Sequence, residues 1–201
     1  FTKACRELAR ELGVAGASWR PAYERALAVQ ERFRRRRMEI GRRALDYCAG
    51  NDLSPVVVMG RPYTIYNRVL NSNVPAILRQ QGSIAIPVDC YPLETDIPIF
   101  NDIYWFHGQR NLRAAYQIRR TEGVYGVWCS NYACGPDSFL LHFCSHLMKH
   151  KPFTVIETDG HSGDAGTKTR IEAFLYCAKQ DRLAGGDRPS PGSLKELETD
   201  R

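Results

Sequence analysis

Apolar residues recur at helical spacing along the first fifty positions. Residues 3–13 form one short helical stretch that stops at Gly13, and a longer one begins near Pro21, a residue suited to a first helical turn. There Ala22/Tyr23, Ala26/Leu27, Phe33, Ile40, Ala44/Leu45 and Cys48 mark a single buried stripe. The spacing predicts a helix of about 28 residues closed by Gly50. A helix this long suits bridging or bracing domains.

The period changes at Ser54. Pro55-Val56-Val57-Val58-Met59-Gly60 is a continuous, β-branched apolar run, the pattern of a strand buried on both faces. After a loop over 61–67, a helical stretch covers 73–81, Gly82 closes it, and Ile84-Ala85-Ile86-Pro87-Val88 supplies a second strand. The result is a βαβ unit. Residues 99–120 read as helix, with Tyr104, Trp105, Leu112, Ala115, Tyr116 and Ile118 as its apolar positions. A third strand follows over 124–129, a helix over 137–150, a fourth strand over 152–157 and a last helix over 167–179. Strands alternating with helices predict an α/β fold: a parallel sheet of about four strands between two helical layers, preceded by the long helix. The expected division is a helical segment at 1–50, an α/β domain at 51–182, and a polar tail at 183–201 that is linker or disordered.

Composition adds limits. The 201 residues, 43% hydrophobic and 25% charged, fit one soluble domain with extra helix. No apolar run approaches the ~20 residues that span a bilayer. The start, Phe1-Thr2-Lys3-Ala4-Cys5, lacks an initiator Met and a signal-peptide core, so the chain is expected to be a piece of a longer, cytoplasmic protein. Seven cysteines, an odd and scattered set, make a poor disulfide framework and point to a reducing compartment. The net charge of +6 is concentrated in Arg32, Arg34 to Arg37, Arg42 and Arg43. Such a run can bind nucleic acid or an acidic partner. Without interleaved aromatics, helix-turn-helix or zinc-finger spacing, a solvated helix face is the favoured reading.

In open parallel sheets, ligands collect at loops after the strands' carboxyl ends. Four such loops are expected, at 60–67, 89–94, 130–137 and 158–166. Cys90 follows the second strand and Cys134 the third, in Asn131-Tyr132-Ala133-Cys134-Gly135-Pro136-Asp137. Cys134 also precedes a helix start, where amides and the dipole favour thiolate. Two thiols cannot close a tetrahedral metal site, so Cys129 is a weaker third candidate, and inert thiols are the simpler alternative. The Gly-rich loop 158–167 can cradle an anion, which makes His161 and Ser162 candidate cofactor-binding residues. Arg61, at the first strand's end, is a third. No Walker spacing and no G-x-G-x-x-G after the first strand is present, so nucleotide hydrolysis by this segment is not expected. His142, His146 and His150 share one helical face, without a Glu-x-x-His context, and a half-buried polar face is favoured over zinc.

Three stretches carry a resemblance: Val58-Met59-Gly60-Arg61-Pro62-Tyr63; Ser130-Asn131-Tyr132-Ala133-Cys134-Gly135-Pro136-Asp137-Ser138; and 157–174, with His161-Ser162, Ala165-Gly166, Arg170 and Glu172-Ala173-Phe174. Together they resemble the acyl-CoA dehydratase activase-related proteins, or CoA-substrate-specific enzyme activases. These are long bacterial chains related to the subunits of 2-hydroxyacyl-CoA dehydratases and benzoyl-CoA reductases. The resemblance spans roughly residues 20–180.

It implies one three-layer, Rossmann-like or flavodoxin-like domain from the C-terminal part of a larger subunit. In the dehydratase relatives, cysteines from two neighbouring domains hold an iron–sulfur cluster, and an ATP-driven activator injects one electron that reaches a CoA thioester. By position, Cys90 and Cys134 match two of those thiols; Cys129 has no counterpart. The cofactor implied is an iron–sulfur cluster (4Fe-4S or double-cubane) in the full-length protein, and absent from the isolated piece. Partners implied are the preceding domains of the same chain, an acyl-CoA substrate or dehydratase partner, and a second copy in a homodimer; neither membrane nor nucleic acid is among them. The alternative is a non-catalytic docking or scaffold module.

Overall fold

A computed structural model of the chain describes residues 1–158 and 164–185. The chain divides into two compact units, Phe1–Ile40 and a second beginning at Gly41.

The first unit is helical. Helix α1, Thr2–Glu11, ends with Val14 N–H donating to the Ala9 carbonyl (2.8 Å) and Gly13 N–H to that of Arg10 (3.0 Å). These two bonds satisfy carbonyls that the helix end leaves open. Helix α2, Arg20–Gly50, opens with the Trp19 and Tyr23 rings edge to face at 6.1 Å. Its arginine run is answered locally. Glu31 accepts from Arg34 at 2.8 Å, Glu39 accepts from Arg36 at 2.8 Å, and the Arg37 guanidinium lies 4.8 Å over the Phe33 ring. These exposed pairs one turn apart make the run a solvated helix face.

In the second unit the four strands are β1, Pro55–Gly60, β2, Ile84–Pro87, β3, Tyr125–Ser130, and β4, Phe153–Glu157. They form one all-parallel sheet in the order β2-β1-β3-β4. Val57 pairs with Ile86 on one side and Gly126 on the other, so β1 is central and fully buried. Each of its apolar side chains contributes about 1.5–3 kcal/mol on leaving water. That is why a run of four apolar residues, rather than an alternating pattern, sits here.

Helices cover both faces. Helix α4, Val74–Gln80, packs with α7, Asp164–Leu183; α5, Phe106–Arg120, packs with α6, Asp137–Leu147. Residues 41–50 of α2 belong to this unit, with Ala44 and Leu45 against the core and Cys48 buried.

Three expectations change. The loop after β1 contains a short helix, α3, Pro62–Ile65. Residues 99–105 are not helical: Ile97 and Ile103 are buried as a plug, stapled by Gln109, whose side-chain amide bonds Phe100 and Ile103, and by Arg113, which donates to the Ile97 carbonyl. Helix α6 stops at Leu147, and His150 lies beyond it at φ 71°, so the three histidines do not share one helical face. Among the described residues no helix is long and apolar enough to cross a membrane.

Candidate functional site at the carboxyl edge of the sheet

The strand order reverses direction at β1. Chain enters β2 on one side of it and β3 on the other, and the crevice of such a switch point is where this architecture binds ligands. The loops carrying Cys90 and Cys134 flank it, one strand apart on each side of β1, which places their parent strands roughly 10 Å from each other.

The end of β1 is tightly fixed. Gly60 has φ 136°, and a Cβ there would lie 2.5 Å from the Cys129 carbonyl oxygen. The buried Asn111 side chain on α5 brackets the Gly60 peptide, accepting from its N–H (2.9 Å) and donating to its carbonyl (3.1 Å). This directs Arg61 toward α6. Its guanidinium lies 3.4 Å from the buried Asp137 carboxylate and 4.8 Å over the Tyr63 ring. The candidate cofactor-binding arginine is thus engaged within the chain. Burial pushes the Asp137 carboxyl above its usual range, opposed by the Arg61 charge and by the hydrogen bond from Ser130.

The Cys134 loop is built on left-handed backbone. Tyr132 and Ala133 both have φ 51° and Gly135 has φ 61°. For non-glycine residues such conformations cost of order 1–3 kcal/mol each and persist only when surroundings impose them. Here the imposing bonds are visible. Ala133 N–H donates to Ser130 Oγ (3.1 Å) and to Glu157 Oε2 (3.3 Å), and Ser130 Oγ donates to Asp137 Oδ2 (3.0 Å). Thr64 Oγ1 donates to Asn131 Oδ1 (2.8 Å), and Asn131 Nδ2 to the Thr158 carbonyl (2.9 Å). The loop lifts Cys134 into solvent.

The Cys90 loop is held from inside. Arg110 on α5 donates from Nε to the Val88 carbonyl (3.1 Å), and from Nη2 to those of Asp89 (3.3 Å) and Tyr91 (2.6 Å). Gln117, two turns on, donates to the Pro92 carbonyl and accepts from Glu94 N–H. Gly41 of α2 presses on the Cys90 carbonyl, so closely that a Cβ would overlap it. Cys90 itself is 8% exposed.

All seven cysteines are thiols without disulfides. Cys129 sits inside β3, where burial pushes its thiol up to about 12. Burial also raises Cys144 and Cys48. Such thiols stay protonated and unreactive at neutral pH. Among the described residues, no three His, Cys, Asp or Glu side chains come together as a metal-binding set. Soft thiolates are the usual iron–sulfur ligands, and two thiols, one exposed at Cys134 and one nearly buried at Cys90, do not by themselves make a complete set. His161, Ser162 and the polar tail from 186 on lie outside the described residues. Sequence reasoning missed Gly41, Arg110 and Asn111. Their signals were a glycine in mid-helix and polar residues on the sheet-facing side of α5.

Residues 1–91, which run from α1 through Cys90 to Tyr91, match the family model described as CoA enzyme activase uncharacterised domain. No curated protein and no solved structure matches the chain.

Proposed function

We propose that this chain, whose residues 1–91 match the CoA enzyme activase uncharacterised domain, contributes Cys90 and Cys134 from its carboxyl edge to an iron–sulfur site completed by thiols beyond the described residues. When bound, the cluster supplies one electron at a time at low potential, here to a CoA thioester, with ATP consumed elsewhere in the assembly. The preceding domains of the same protein are the proposed source of the missing ligands, and an acyl-CoA the proposed substrate.

This chain's own residues have defined tasks under that reading. Arg110 and Gly41 fix the Cys90 loop, while the left-handed loop holds Cys134 out toward an incoming domain. Arg61 stays with Asp137 and braces the base of that loop. Cys129, sealed in β3, remains a protonated core thiol.

The observation that carries the proposal is the placement of the two thiol loops on either side of β1 at one sheet edge. Anaerobically purified full-length protein is expected to be brown, with a visible thiolate-to-iron band. A colourless preparation that takes up no iron on anaerobic reconstitution contradicts it.

A second reading, a non-catalytic docking module, is favoured by one feature. Tyr104, Trp105 and Phe106 are exposed at the start of α5 and Phe143 midway along α6, with Trp105 5.0 Å from Phe139. Aromatic surfaces of this kind are enriched at protein interfaces. Under that reading Cys90→Ala and Cys134→Ala leave the activity of the parent complex untouched.

A further inference from the structure

We propose that Arg110 is the positioning residue for Cys90, setting how far and in which direction that thiol is presented at the sheet's carboxyl edge. The significance for a metal site rests on the reading above; the positioning itself does not.

Arg110 has an unusual role for a residue on a sheet-packing helix. One guanidinium gathers the carbonyls of Val88, Asp89 and Tyr91, the residues that flank Cys90 on both sides. Its planar fork can serve several acceptors at fixed angles, which an ammonium cannot reproduce. Backbone carbonyls drawn inward in this way leave the Cys90 side chain to be directed by the turn they define. That turn is tight: Cys90 N–H donates to the Pro87 carbonyl at 2.8 Å, and Tyr91 N–H to the same oxygen at 3.2 Å. From outside, Gly41 closes on the Cys90 carbonyl. The loop is therefore clamped between α5 and α2.

The neighbouring residue does the same for β1. Asn111 brackets the Gly60 peptide, so two adjacent positions on α5 fix the ends of two adjacent strands. The spacing between Arg61 and Cys90 is thus set by a single rigid helix rather than by the loops. Precise sites need this kind of support from regular elements.

The test is residue-resolved alkylation of the full-length, metal-free protein, read by mass spectrometry. Arg110→Met keeps the aliphatic stem and removes every donor. Cys90 should then react about tenfold faster or more, as a released loop opens locally, while Cys48, Cys129 and Cys144 stay protected. Arg110→Lys, which keeps the charge and one set of donors, should give an intermediate rate. An unchanged Cys90 rate in both variants overturns the proposal. So does a common rise at all four buried thiols, which would mean general loosening. If Arg110→Met does not fold, the lysine variant decides: a selective rise at Cys90 supports the proposal and none overturns it. Should Cys90 respond as expected while the wild-type protein never takes up iron, the positioning stands and the cluster reading fails.

Discussion

Gly41 lies so close to the carbonyl oxygen of Cys90 that no side chain fits between them. A residue in the middle of a long helix thereby governs a loop fifty positions further on. Glycine in a helix interior costs about 1 kcal/mol relative to alanine, so its presence here reflects the close approach. Gly41→Ala is expected to destabilise the protein by about 2–3 kcal/mol through overpacking. Gly50→Ala, with open space around it, should be near neutral. Urea midpoints for the two variants check this, and equal midpoints would show that α2 yields without strain.

Gly60 carries a second constraint of the same kind. Its φ of 136° and its approach to the Cys129 carbonyl leave no conformation for a side chain. Gly60→Ala should cost about 2–4 kcal/mol, and it should disturb the Asn111 bracket and with it Arg61. The expected signature in an amide NMR spectrum is a set of shifts confined to residues around 60, 111 and 129. Shifts absent from Asn111 would refute the bracket.

The Arg61–Asp137 pair predicts a pH dependence. Asp137 is held above its ordinary value of 3.8, chiefly by burial, with Arg61 opposing. A carboxyl raised in the folded state favours folding when protonated, so its contribution falls as pH rises from near 3.8 through the raised value. Arg61→Met removes the opposing charge and deepens that loss. Denaturation at a series of pH values from about 4 to 7 should show the Arg61→Met deficit growing with pH. A deficit constant across that range would mean the two groups do not communicate.

Thiol chemistry should divide the cysteines by environment. Cys134 and Cys177 are exposed and should alkylate quickly at neutral pH. Cys129 and Cys144 are buried, with thiols pushed up, and should stay unmodified until the protein unfolds. Rapid labelling of Cys129 in native protein would contradict the buried placement of β3.

The strands were legible because a sheet buried on both faces demands unbroken apolar runs, and 55–60, 84–88 and 124–129 supply them. The loops holding Cys90 and Cys134 were legible for a related reason, since each directly follows such a run. What the pattern hid was the work of α5. Its Gln109, Arg110, Asn111, Arg113 and Gln117 look like surface polar residues, yet they bind loop backbone, and Asn111 and Gln117 are buried. The apolar residues of 99–105 mimic helix because a buried plug and a helix face both need Ile and Phe. The sheet order also lay beyond local pattern, since strand neighbours are chosen by crossovers rather than by any one strand's residues.

The central claim, that Cys90 and Cys134 are ligands in a shared iron–sulfur site, is tested most directly by iron and acid-labile sulfide per protomer. The measurement uses anaerobically purified full-length protein and its Cys90→Ala, Cys134→Ala and Cys177→Ala variants. The expected result is stoichiometric iron in the wild type and in Cys177→Ala, with loss of most iron in each of the other two. Full retention of iron in both Cys90→Ala and Cys134→Ala would contradict it.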